Sequence, residues 1–287
     1  MKLAAQSDFF IKSFGPENGF KKLREIGYES VSYNIADRYD EPFTTEWTEE
    51  ELKNRFAAIG KAARDSGLEM VYATANCEMY NDLIVHTFDA RKKMCVRFVQ
   101  AAAAMGCKYI ALRPAGFNTT HEDAWELSKK ISFEVFDAMK AEADKLGIGL
   151  AFINNVRRAK KYCFGCTAEE LLELCDRYGG KVVIDPVNAY NAHERLDKLI
   201  NGVKDKLIGL VISDVESTIK NPFMPMMGSI DYTVVIGCAQ SIGDDAYAVM
   251  NCSNVFKRYE DFADSEGVIS SVNTLLYDMG KAIVGKN

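Results

Sequence analysis

No apolar run in the 287-residue chain is long enough to cross a bilayer; one of the longest covers only residues 207–212. A basic excess is missing too. Lys and Arg number 35 against 41 Asp and Glu, a formal charge of −6. A chain that grips nucleic acid through its phosphates needs a basic stripe, and none is present. Cysteine, with 8 residues, is too sparse for a disulfide scaffold. Residues 1–10 are polar where an export signal carries its apolar stretch. The thiols are therefore expected to be reduced, in a cytoplasmic protein. There is no Pro- or Ser-rich linker and no low-complexity tract, so a single domain over residues 1–287 is expected. Histidine is scarce: His86, His121 and His193 are the only three, and none falls in a strand-like run. What remains, at 48% hydrophobic and 26% charged, is ordinary globular composition. A membrane and a nucleic acid are both excluded as expected partners.

Eight short apolar runs punctuate the chain, at residues 2–6, 30–35, 68–74, 108–112, 148–153, 181–185, 207–213 and 247–251. Between them lie segments with helical spacing. Leu52, Phe56, Ile59 and Ala63 share one face, as do Met94, Cys95, Phe98, Val99, Ala102 and Met105. Thr48 and Thr167 each precede a Glu at capping-box spacing. Gly27, Gly67, Gly106, Gly147 and Gly179 each stand just before the next run, as helix stops. Repeated helix–glycine–strand units imply parallel pairing, and eight of them match a (β/α)₈ TIM barrel. An open doubly wound sheet is the alternative. It usually carries a Gly-rich phosphate loop after its first strand, where this chain has residues 7–15 and no such loop.

A barrel of this kind places its site at the C-terminal strand ends. Those ends read Ser7 and Asp8, Tyr33 and Asn34, Asn76 and Glu78, Arg113, Asn154 and Asn155, Asp185 and Asn188, Ser213 and Asp214, then Asn251 and Ser253. The ring suits a small polar ligand in a concave mouth. Tyr33, Phe152 and Tyr190 are candidates to line it. Arg113 needs an anionic partner, which a phosphate or carboxylate on a ligand supplies as well as a pair with Asp185 or Glu78 does.

Four segments carry a resemblance. They are residues 145–155, residues 166–190 with Asp185, residues 207–215 with Asp214, and residues 224–232, a Pro-x-x-Gly-x-Ile-Asp loop with Met226 at a glycine position. In order and spacing they resemble the xylose-isomerase-like TIM-barrel superfamily, which includes sugar-phosphate isomerases and epimerases, inosose dehydratases and an endonuclease branch. The resemblance implies one divalent metal held by Glu, Asp, His and Glu at the ends of the fifth to eighth strands. Carried over, those positions fall on Ile153, Asp185, Val211 and Asn251. Only Asp185 matches, so no metal and no cofactor are expected.

Two functions follow. The first is an isomerase, epimerase or related lyase working without the family metal on a small sugar or polyol derivative. Asp185 is its leading acid/base, with Asp214 and Glu78 in reserve; Arg113, Asn154, Asn155, Asn188, Asn251 and Tyr33 contact the ligand. The second is a non-catalytic relative, either a sugar-binding module or the silent subunit of a complex with an active paralogue. Assembly as a homo-oligomer or with a paralogous subunit is left open. Cys163 and Cys166 form a Cys-x-x-Cys without the second pair that a structural zinc requires, and no zinc is expected on them. Cys252 follows the last strand with no His nearby to activate it.

Overall fold

The protein, as a computed structural model, is described over residues 1–35, 47–75, 88–116, 123–156, 163–215, 222–251 and 266–285. Glu78, Asn76, Ser253, Cys252, His86 and His121 lie outside them. Eight parallel strands close a barrel: β1 (Lys2–Gln6), β2 (Ser30–Asn34), β3 (Glu69–Thr74), β4 (Tyr109–Leu112), β5 (Gly149–Ile153), β6 (Lys181–Ile184), β7 (Leu207–Ile212) and β8 (Tyr247–Met250). They neighbour one another in sequence order, and β8 returns to β1 with Leu3 opposite Ala248. The expected TIM barrel is therefore the fold, and the open sheet is excluded because no barrel strand has a free edge.

The helices are α1 (Asp8–Ile26), α2 (Glu49–Asp65), α3 (Phe88–Met105), α4 (Ala124–Leu146), α5 (Ala168–Tyr178), α6 (Pro186–Ala192), α7 (Leu196–Val203), α8 (Tyr232–Ser241) and α9 (Glu266–Ile283). Local chemistry sets their ends. Thr48 caps α2, with Glu51 N–H donating to its hydroxyl at 3.2 Å and the Glu51 carboxylate accepting from Thr48 N–H at 2.7 Å. Thr167 and Glu170 repeat the box at α5. The five stop glycines all have φ between 64° and 122°, a region that L side chains avoid. The segment after β1 turns straight into α1 at Asp8, which kinks at Gly15 before Pro16. None of the described helices is long and apolar enough to cross a membrane.

Strand alternation sorts two cores. Leu150, Phe152, Val182, Ile184, Leu210, Ile212, Ala248 and Met250 point outward into the layer beneath the helices. Ala4, Ala111, Ala151, Val183, Val211 and Val249 fill the barrel interior. Phe152, a candidate pocket residue from the sequence, is outward and fully buried. Its ring meets Phe136 at 5.0 Å and Tyr178 at 5.9 Å.

After β7 the chain forms a small antiparallel ladder, Asp214–Val215 with Pro222–Phe223. The Asp214 carboxylate is fully buried and accepts from the N–H groups of Val215 (2.7 Å), Gly228 (2.8 Å) and Ile230 (3.0 Å). It staples the loop of residues 224–231 to the barrel end. At the tip of that loop Met226 takes φ 65° and is 54% exposed.

Two substitutions test this packing. A Cβ on Gly60 would collide with the Met105 carbonyl, where α2 crosses the end of α3. Gly60→Ala should cost about 1–3 kcal/mol in chemical denaturation. Met226 pays for a left-handed backbone without making a buried contact, so Met226→Gly should instead gain about 1 kcal/mol. A gain from Gly60→Ala, or a loss from Met226→Gly, would contradict the respective account.

Candidate functional site

Two residues beyond the interior core, each inward register reaches the barrel mouth. Asp185 follows Val183, Ser213 follows Val211, Asn251 follows Val249, and Arg113 follows Ala111. On β2, Asn34 stands opposite Thr74 on the face that Tyr72 shares. These groups are brought together from strands β2, β3, β4, β6, β7 and β8.

Asp185 is the N-cap of α6, and its carboxylate accepts from Val187 N–H at 2.9 Å. Loss of hydration pushes its pKa up. The Val187 N–H, the Arg113 charge and the Asn188 N–H pull it back only in part. Arg113 is half-buried and forms no hydrogen bond or ion pair with any described residue; Asp185 feels its charge without being its salt-bridge partner. The pairing with Asp185 that the sequence left open is therefore not made. Tyr72 is a site residue that the sequence reading missed. Its phenol is fully buried and has no hydrogen-bond partner among the described residues. Burial raises its pKa, and the negative charge of Asp185 raises it further. Its only sequence signal was one hydroxyl-bearing ring inside an apolar strand.

The asparagines on the β5–β6 side are already engaged. Asn154 donates to the Asp185 carbonyl (3.0 Å) and accepts from the Asp185 N–H (2.6 Å). Asn155 is buried, donates to the carbonyls of Pro114 (2.9 Å), Ala115 (3.2 Å) and Phe164 (3.0 Å), and accepts from Val156 N–H (2.9 Å). Asn188 donates to the Asn154 carbonyl at 2.9 Å. These amides, like Asp214, hold backbone in place. Tyr33 packs against the outer core, and Tyr190 is exposed on α6. His193 closes α6 with φ 59°.

The opposite arc differs. Asn34 Oδ1, Ser213 Oγ and Asn251 Oδ1 are buried atoms with no hydrogen-bond partner among the described residues. They come from β2, β7 and β8; β2 and β8 flank β1 in the closed barrel, and β7 lies on the far side of β8. Ser7, at the end of β1, is engaged, its hydroxyl donating to the Ser32 carbonyl at 2.8 Å. Each orphaned acceptor costs about 1–3 kcal/mol unless something supplies a donor. Three on one arc make a surface that polyhydroxylated ligands can satisfy.

A metal fits poorly. Ile153 and Val211 belong to the interior apolar layer and offer no donor. Asp185 and Asn251 would be left as one carboxylate and one amide, too little charge to offset dehydration of a divalent ion. The described residues contain no cluster of three or more His, Cys, Asp or Glu side chains placed to hold a metal. Cys163 and Cys166 are buried thiols, with Cys166 Sγ 3.3 Å from the Cys163 carbonyl.

No curated protein matches the sequence. Solved structures do match in shape. A D-psicose 3-epimerase with D-tagatose from Clostridium cellulolyticum H10 aligns at TM-score 0.67 and 12% identity, over 99% of each chain. An IolI protein with a zinc atom aligns at TM-score 0.67 and 16% identity, over 99% of this chain and 98% of that one. A 3-keto-D-glucoside 4-epimerase from E. coli aligns at 0.62 and 15%, over 87% and 91%. At such identities the likeness is one of fold. The family model described as xylose isomerase-like TIM barrel matches residues 20–257, most of the chain. The protein belongs to the xylose isomerase-like TIM-barrel family.

Proposed function

We propose that the barrel mouth binds a small sugar or polyol derivative carrying an anionic group, and that Asp185 moves a proton on it without a metal. The observation that carries this reading is the arc of orphaned buried acceptors, Asn34, Ser213 and Asn251, beside a desolvated carboxyl group. Sugar hydroxyls donate to such acceptors. Half-buried Arg113, without an ion partner among the described residues, suits a phosphate or carboxylate on the same ligand. A raised pKa makes the Asp185 carboxylate a stronger base than an ordinary aspartate, so it can take a proton from the carbon beside a ligand carbonyl and, as the acid so formed, return it to the adjacent carbon. A single acid/base confines that transfer to one face of the substrate. Asn154, Asn155, Asn188 and Asp214 act as positioning residues that fix the strand ends.

Isomerase and epimerase chemistry on sugars suits the family. The replacement of ligand positions by Ile153 and Val211 argues for a degenerate metal site, so no step is assigned to a metal. One observation favours the second reading, a binding protein or silent subunit: among the described residues, no second carboxylate acts on the Asp185 carboxyl.

The test is a panel of ketoses and their phosphate monoesters, read for binding and for turnover. Arg113→Gln should weaken an anionic ligand by roughly tenfold or more and leave its neutral counterpart unchanged. Asp185→Asn should abolish turnover while keeping most of the affinity. If no member of the panel is turned over but binding persists, the protein is the non-catalytic relative. If none binds, the reading fails.

Asp185 also predicts a pH signature. Its folded pKa lies above the unfolded value of about 3.9, so folding favours the protonated form. Its stabilising contribution is full below that unfolded value and is lost as pH rises through the folded one. Asp185→Asn keeps an acceptor for Val187 N–H and removes the buried charge. The variant should melt above the parent at neutral pH, with the gap closing below about pH 4. A variant less stable at every pH would contradict this.

A further inference from the structure

At the other end of the barrel, the N-terminal strand ends surround a cavity of about 540 Å³. Its wall holds four lysines: Lys2 from β1, Lys108 before β4, Lys181 from β6, and Lys204 after α7. Two are already committed. The Lys108 ammonium lies 2.5 Å from the Glu69 carboxylate, and Lys2 lies 5.7 Å from the centre of the Tyr247 ring. Glu69 is also held by the Tyr247 hydroxyl at 2.9 Å. Lys181 and Lys204 have no ion pair with any described residue. The carboxylates of Asp205 and Asp245 share the wall but do not pair with them. Four ammonium groups thus face three carboxylates, counting Glu69, in a chain whose overall charge is negative.

The rest of the wall is aromatic and apolar, with Tyr72, Tyr109 and Tyr247 among its residues. Tyr72 lies between this cavity and the mouth, since it lines the cavity and also feels the charge of Asp185. The two sites are therefore separate compartments of one barrel. The volume is in the range of small-molecule sites and too small for a polymer. Unpaired lysine ammoniums act as point charges that suit phosphate oxygens, and the tyrosine rings can cover an attached organic body.

We infer that this N-terminal cavity is a binding site for a small phosphate-bearing anion, held by Lys181 and Lys204 and distinct from the barrel mouth. It needs nothing from the sugar reading, because none of its residues is used there except the dividing Tyr72.

Calorimetric titration of the full chain with pyrophosphate, and with inorganic phosphate, tests it. Saturable binding is expected. The double variant Lys181→Gln/Lys204→Gln should weaken it by about tenfold or more, while Lys181→Arg/Lys204→Arg keeps it. Arg113→Gln, at the opposite end, should leave it unchanged. Melting curves establish that the variants remain folded. The inference is overturned by the absence of saturable binding, by affinity indifferent to the Gln substitutions, or by loss on Arg113→Gln, which would place the anion in the mouth.

Discussion

The amide of Asn154 holds both backbone polar groups of Asp185, and the organisation of the mouth depends on that clamp. Asn154 lies just past β5, while Asp185 joins β6 to α6. By satisfying the N–H and C=O of Asp185, the clamp leaves its carboxylate free to cap α6 through Val187. It also fixes how deep the carboxyl sits, and that depth raises its pKa. The Asn154 carbonyl in turn receives Asn188, so β5, β6 and α6 form one hydrogen-bonded unit. A rigid acid is set beside an arc that still lacks partners.

That asymmetry divides the mouth into two arcs. On the β5–β6 side the amide side chains are consumed by backbone, as Asn155 is by Pro114, Ala115 and Phe164. At β2, β7 and β8 the buried acceptors stay open. Interiors rarely tolerate such atoms without a reason. Below them, Ile153 and Val211 belong to an apolar floor that offers no donor to a metal. Among the described residues, the Arg113 guanidinium is the charged side chain that acts on the Asp185 carboxyl.

Much of the fold was legible in the sequence. Each strand run coincided with a barrel strand, both Thr–Glu capping boxes formed, and the stop glycines took left-handed φ. These are local signals, written within a few residues. The site was less legible, because strand ends were visible but the direction of each side chain was not. Tyr33 and Phe152 looked like pocket aromatics, yet alternation turns them to the outer core. Asn154 and Asn155 looked like ligand groups, but partners more than thirty residues away in Asp185 and Pro114 engage their amides. Tyr72 was overlooked because its place opposite Gly209 depends on closure of the barrel. Orphaned atoms cannot be read from sequence at all, since they are defined by what is not near them.

The central claim is that Asp185 is a desolvated acid rather than a metal ligand. Carbon-detected NMR titration of its carboxyl group, with and without added Mn²⁺, measures this directly. A buried, metal-free Asp185 titrates above the ordinary aspartate value of about 3.9, unchanged by added Mn²⁺. Titration at or below that value, or broadening of the Asp185 signal by stoichiometric Mn²⁺, would contradict it.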